Sequence, residues 1–302
     1  MKEILEIKEG LKWIDISSPT PLDIHFLRKN FDFHPITLDE LTHLSARTKV
    51  DAYDHYLFIV AHFPVYDPTE KCAHQAEIDI LIKKDAFITI HYQELEILNE
   101  FALLLKNEKI KKEINHTYNL LYYLLEQVTK YSLRQLVHIE EKVNQVGENL
   151  FKRRERELLE QISYVKRDLA TFGIITWSQR NILESLATAG VKFWGPEVEL
   201  YFSDTLGDHW KVVHTYNKLK ETLNDFDTTN AQLLDYKMNN IMQVVSVLGF
   251  VTLPFILFLS VLQINFINDA IADKPVFIFL VLFLAIGLSF ASWLTFRKKK
   301  WI

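Results

Sequence analysis

Asn239, Met242, Val245 or its neighbour Ser246, Gly249, Leu253 and Ile256 recur three or four residues apart, so on an α-helix they share one face. That face carries an amide, a thioether, a glycine and aliphatic groups, with no acid, base or nucleophile. It can neither relay a proton nor offer carboxylate ligands to a cation. Repeated around an axis by several chains, it can line a narrow, largely apolar tube that passes a hydrated ion and closes by dewetting. Such a route suits Mg²⁺, which gives up its waters reluctantly.

The remaining chemistry-bearing residues point to no reaction. His55, His62, His74 and His91 fall at no zinc-ligand spacing and read as residues of strands and turns. There is no Gly-rich phosphate loop, nucleophile elbow or acid/base pair, which argues against an enzyme and against a bound organic cofactor. Asp269 and Asp273 lie between two apolar runs, where they either raise the local cation concentration or simply solubilise a loop. Lys152-Arg153-Arg154-Glu155-Arg156-Glu157 reads as a solvated helical face. A net charge of -5 gives no electrostatic case for nucleic acid. The only cysteine, Cys72, can form no intrachain disulfide, in keeping with a reducing compartment.

The elements that must position these residues follow from hydropathy. Met238–Asn268 and Pro275–Phe296 contain no charged side chain, and each exceeds the roughly 20 residues a helix needs to cross a bilayer. Two spans from one subunit cannot enclose a channel, so conduction would require a ring of subunits. The first residues lack an export signal, and Arg297, Lys298, Lys299 and Lys300 follow the second run against a single Lys274 between the runs. Both termini are therefore expected on the cytoplasmic side.

From Glu197 the first proline is Pro254, inside the first span. One helix from Glu197 to Leu262, about 65 residues, would be about 100 Å long at about 1.5 Å per residue. Its stripe of Tyr216, Leu219, Leu223, Phe226 and Leu233, with Asn230 in register, looks like a diluted coiled-coil seam and is expected to associate with copies of itself. Upstream, Leu11–Ile16, His55–Phe63, Glu77–Ile82 and Ala86–Tyr92 read as strands, and Pro21–Asn30 and Pro35–Leu44 as helices. His116–Phe151 and Arg153–Thr188 read as an antiparallel helical pair. The expected organisation is an α/β subdomain (1–93), a helical hairpin (94–195), a stalk (196–240), a pore-lining span (241–262), an outer loop (263–275), a second span (276–296) and a basic tail (297–302).

Particular residues carry a family likeness: Trp13-Ile14-Asp15, Phe33-His34-Pro35-Ile36-Thr37-Leu38-Asp39, Arg47-Thr48-Lys49-Val50 ahead of the Tyr53–Val60 strand, Tyr201-Phe202-Ser203-Asp204, and Asn239–Phe266 with its Pro254. Over essentially its whole length the chain resembles the CorA metal-ion transporters. The resemblance implies a homopentameric funnel in the cell membrane, with an α/β cytoplasmic domain and a long stalk helix that continues into the pore. It implies Mg²⁺ as both transported and regulatory ion, with Co²⁺ and Ni²⁺ as further cargo.

The family signature, Gly-Met-Asn at the outer end of the first span, here reads Gln263-Ile264-Asn265. By resemblance Asn265 would present its amide to an ion's hydration shell at the entrance, and Ile264 keeps the apolar middle position. Gln263 loses glycine's backbone freedom, which either displaces the Asn265 ring or adds a ring of amides of its own. Ile256 stands where threonine is common. Asn239 matches a cytoplasmic-side pore ring, or is an ordinary polar stalk residue. Asp204 matches an interfacial regulatory carboxylate that binds Mg²⁺ with a partner near Asp67 or Glu70, or else belongs to a solvated helix face. Two other readings share the architecture: a ZntB-like Zn²⁺ transporter, and a membrane-anchored oligomer that senses metal and conducts nothing.

Overall fold

The runs between Lys2 and His91 pair into one six-stranded sheet in the computed structural model, which describes residues 2–45, 47–67, 72–152, 154–262 and 275–298. In chain order the strands are β1 (Lys2–Lys8), β2 (Leu11–Ser17), β3 (Lys49–Ala52), β4 (Leu57–Asp67), β5 (Cys72–Ile82) and β6 (Ala86–His91). Across the sheet they run β1-β2-β6-β5-β4-β3, antiparallel except where β2 pairs with β6.

Both faces of the sheet are covered, which is why its central strands read as nearly continuous apolar runs. Leu57, Ile59, Ala61 and Phe63 of β4 join one core with residues of the long helices, while Phe58 and Val60 join a second core with Ile24, Leu27, Leu38 and Leu41. The second core lies under α1 (Pro21–Asn30) and α2 (Pro35–Glu40). Helix α1 starts at Thr20, which forms a capping box with Asp23. Helix α2 stops short of the expected Leu44 because the Asp39 carbonyl accepts both the backbone N–H and the hydroxyl of Thr42, closing a turn.

Two short helices not expected from sequence, α3 (Glu96–Leu105) and α4 (Glu108–Glu113), lead into α5 (Thr117–Asn149) and α6 (Glu155–Trp194). The last two are antiparallel: Thr117 bonds Trp194, Lys142 bonds Asp168 and Asn149 bonds Gln161. Helix α6 runs past the expected Thr188, because Gly190 is tolerated in its interior and the break falls at Gly195, whose φ of 113° suits glycine. A 3₁₀ turn (Pro196–Val198) then starts α7 (Glu199–Leu262), and α8 (Pro275–Lys298) ends the described chain.

The chain divides into two units, Met1–Phe226 and Asp227–Ile302. In the first, the expected self-associating seam is already occupied. Tyr216, Leu219 and Leu223 are buried within their own chain. Tyr216 stacks on Phe172 and fills the space a side chain at Gly173 would need; Phe202 does the same at Gly190, and Phe226 at Gly147. An apolar stripe is satisfied by whichever surface covers it, and a neighbour in the same chain does so without the entropic cost of association.

In the second unit α7 and α8 lie side by side. The α8 residues Ala285 and Ser289 are buried, and the Ser289 hydroxyl donates to the Val251 carbonyl at 3.0 Å. Phe250 and Phe296 meet at 5.6 Å between ring centroids. Small residues and a hydroxyl-to-carbonyl bond are the means by which helices pair where water gives no hydrophobic drive.

Candidate functional site

On α7, the side turned to α8 carries Val247, which is buried, and the half-buried Val251, Pro254 and Phe258. These are spaced four, three and four residues apart, one helical stripe. Asn239, Met242, Val245, Gly249, Leu253 and Ile256 are all exposed, and an added side-chain carbon at Gly249 would meet nothing within 4 Å. Most of this set lies on the opposite side of the helix from the α8 contact. Ser246, Thr252 and Ser260 turn their hydroxyls onto the carbonyls of Met242, Leu248 and Ile256, so they expose little polarity of their own. The result is a bare face of aliphatic side chains, one amide and one glycine, backed by a second apolar helix.

Gln263, Ile264, Asn265, Asp269 and Asp273 lie outside the described residues, as does Glu70. Asp67 closes β4, paired with Cys72 across the β4–β5 ladder.

Asp204 sits exposed on α7, and its Oδ2 accepts a 2.9 Å hydrogen bond from the Tyr122 hydroxyl of α5. Burial, then the Asp204 carboxylate, push the Tyr122 hydroxyl up to about 12, so it stays a donor at neutral pH. One turn on, Asp208 is held by Lys211 at 2.6 Å. Among the described residues no three His, Cys, Asp or Glu side chains come close enough together to hold a metal ion. A cation at Asp204 would need ligands from elsewhere, and a neighbouring subunit is one source.

The sheet holds a polar group that sequence reasoning did not single out. Asp79 lies buried on β5, takes a 2.8 Å hydrogen bond from the Tyr92 hydroxyl, and has its other oxygen without a partner among the described residues. Burial pushes its carboxyl up to about 8 in spite of that bond. Two residues away, buried Glu77 accepts the Ser45 N–H at 3.0 and 2.7 Å and contacts His62 Nε2 at 3.3 Å. The signal is present as two acids alternating in the otherwise apolar run Glu77–Ile82. Of the four histidines, His62 and His74 lie on β4 and β5, His91 ends β6, and His55 lies in a turn. Burial lowers the His91 imidazole, but the Asp15 carboxylate and the Gln93 carbonyl outweigh it and leave the ring above its ordinary value.

Comparison with known proteins bears on the whole of this arrangement. The family profile described as a CorA-like Mg²⁺ transporter protein matches residues 8–298. The cobalt/magnesium transport protein CorA of Methanocaldococcus jannaschii is 22% identical over 97% of this chain and 92% of its own length. That of Thermotoga maritima is 20% identical over 86% of this chain and 77% of its own. The complete structure of the CorA magnesium transporter from Methanocaldococcus jannaschii has the same fold, with a TM-score of 0.81 at 21% identity over 97% of this chain and 92% of that one. An α/β unit, a long helix and two apolar C-terminal helices were the fold expected from the sequence, and they are the fold found.

Proposed function

The chain belongs to the family of CorA-like Mg²⁺ transporters, and we propose that it is one subunit of a homopentameric channel that passes hydrated Mg²⁺, with Co²⁺ and Ni²⁺ as further cargo. It is a membrane transporter of divalent cations rather than an enzyme. The observation that carries the reading is the division of α7 into a side covered by α8 and a bare side of Met242, Val245, Gly249, Leu253 and Ile256. Five such sides around an axis make a continuous apolar wall with no ionisable group to trap a divalent ion.

In this reading Asn265 offers its amide to the ion's water shell at the outer entrance, flanked by Ile264 and Gln263. Asp269 and Asp273 concentrate cations in front of it, and Asn239 rings the inner end. Both termini face the cytoplasm. Regulatory Mg²⁺ joins Asp204 to a carboxylate of the next subunit, at Asp67 or Glu70, and holds the pore closed while the ion is plentiful.

Reconstituted into proteoliposomes, the full chain is expected to admit Mg²⁺ down its gradient, read by an entrapped dye. Asn265→Ala should cut the rate roughly tenfold by removing an entrance hydrogen-bonding group. Zn²⁺ uptake driven by a proton gradient, without Mg²⁺ flux, would replace this reading with the ZntB-like one. An assembled ring that binds metal through Asp204 and conducts nothing would replace it with a metal sensor. The second outcome has a specific motive in Gln263, which stands where the family signature has glycine.

A further inference from the structure

A cavity of about 360 Å³ opens between the sheet and α6, and its lining is rich in hydrogen-bond donors. Arg47 and Thr48 approach it from the loop ahead of β3, His62 from β4, Gln75 from β5, and Ile174 and Ser178 from successive turns of α6. It lies within the first unit and shares no residue with the α7 face or with Asp204.

Three features mark it as a built site. The Ser178 hydroxyl is buried and has no hydrogen-bond partner among the described residues. Other hydroxyls on the long helices, at Thr176, Thr205 and Thr215, turn back onto the carbonyl four residues earlier. Ser178 does not, which leaves its donor for something else. The Arg47 guanidinium is exposed and makes no ion pair among the described residues, so a fork of N–H donors stands at the mouth. The carboxylate that touches the set, Glu77, lies outside the lining and is engaged: both oxygens accept the Ser45 N–H, and one also meets His62 Nε2. Glu77 therefore orients the imidazole, and no carboxylate belongs to the lining itself.

A guanidinium, two hydroxyls, an amide and an imidazole around one opening, with no free carboxylate, match a tetrahedral oxyanion that can accept several bonds at once. The volume lies in the range of small-molecule sites and exceeds what a bare phosphate fills. The exposed Ile174 supplies an apolar wall for a short carbon skeleton. We infer that this cavity binds the phosphate group of a small phosphomonoester, a role that does not depend on which ion the chain conducts.

The test is calorimetric titration of the full-length protein in detergent with glycerol 3-phosphate, inorganic phosphate and AMP, each alone. Saturable binding of one glycerol 3-phosphate per chain is expected. Arg47→Ala should weaken it at least roughly tenfold through loss of the charge-assisted bonds, and Ser178→Ala by a smaller factor. Both residues lie at the surface of the cavity, and an unchanged thermal midpoint without ligand confirms that each variant is folded. Inorganic phosphate binding as tightly as the esters, and weakened by the same substitutions, would support the oxyanion site with free phosphate as its source. Tighter binding of either ester would support it with the carbon skeleton engaged. Absence of saturable binding for all three, or binding undiminished in Arg47→Ala, would overturn it. Binding needs no ion flux, so a chain that failed the transport assay would still answer this question.

Discussion

The two units of this chain treat apolar surface in opposite ways. In the first, sheet and helices bury aromatic and aliphatic side chains on both faces, and most of the acids and imidazoles they enclose have partners: Asp168 with Lys142 at 2.6 Å, Glu77 with the Ser45 N–H, His209 with the Thr176 carbonyl. In the second, only Asn230, Val247, Ala285 and Ser289 are buried among the described residues, while Met242, Leu248, Phe250, Ile256 and Phe283 stand bare. The first unit completes its core within one chain. The second is part of a structure whose remaining cover must be hydrocarbon or further copies of itself.

The sharpest separation of the two is by pH, because neither apolar run contains an ionisable residue. Asp79 has its carboxyl pushed up to about 8 from 3.8, by burial first, with Glu77 and Glu40 adding to the rise and Tyr92 and Lys49 opposing it. A folded-state value above the unfolded one means that the fold favours the neutral acid. Stability is then greatest below about pH 4 as far as this group is concerned, and it is lost as pH rises toward 8. At roughly 1.4 kcal/mol per pH unit the upper bound is about 5 kcal/mol by pH 8. Asp79→Asn cannot ionise, so the wild type should lose stability relative to it between pH 5 and 8, read by tryptophan fluorescence during thermal unfolding. Parallel curves would show that Asp79 reaches water and is not a buried acid.

The same chemical change should have opposite effects in the two units. Gly173→Ala puts a carbon where the Tyr216 ring lies, and overpacking of this kind costs about 1–3 kcal/mol. Gly249→Ala meets nothing within 4 Å and gains helix propensity of somewhat under 1 kcal/mol. The expected result is a lowered thermal midpoint for the first variant and an unchanged or raised one for the second, and, if Gly249 lines the proposed pore, a reduced Mg²⁺ flux through the second because the new methyl narrows it. Equal destabilisation by both would mean that the α7 face at Gly249 is already packed, and the contrast between the units would fail.

How much of this is legible in the sequence follows the same division. The two apolar runs announce themselves, since an uncharged stretch of that length is what a bilayer demands of a spanning helix and far more than a small core needs. Helix α1 follows correctly from Pro21, and β2, β4, β5 and β6 fall within a few residues of the expected strands, except that β5 begins well before Glu77. The edge strands β1 and β3 are not foreseen, because Lys2–Lys8 is rich in charge and Lys49–Ala52 is short, and both acquire strand form by pairing with a neighbour. The stalk stripe is visible as apolar, but periodicity does not say which surface covers it, and the glycines that receive Tyr216 and Phe226, Gly173 and Gly147, are on other helices far away in sequence. The bond from Tyr122 to Asp204 joins α5 to α7 and cannot be read from spacing. The α7 face follows from period alone, whereas the entrance residues rest on resemblance.

The smallest effect sharpens the contrast from the membrane side. Ser289 is the buried hydroxyl of α8, and its bond to the Val251 carbonyl is a polar tie between the two apolar helices. Ser289→Ala removes that tie but keeps the close approach of a small side chain, so helix pairing should weaken by only about 0.6 kcal/mol, the usual size of such a bond in a bilayer. Ser289→Leu removes both and should separate the helices further. Cysteines placed at Phe250 and Phe296, whose rings are in contact, report the pairing through their crosslinking yield. A small drop for alanine and a large one for leucine is expected, since close packing of small residues, rather than a single hydrogen bond, holds these helices together. A large drop for alanine alone would put the hydrogen bond first, and the second unit would then depend on a paired polar group much as the sheet does.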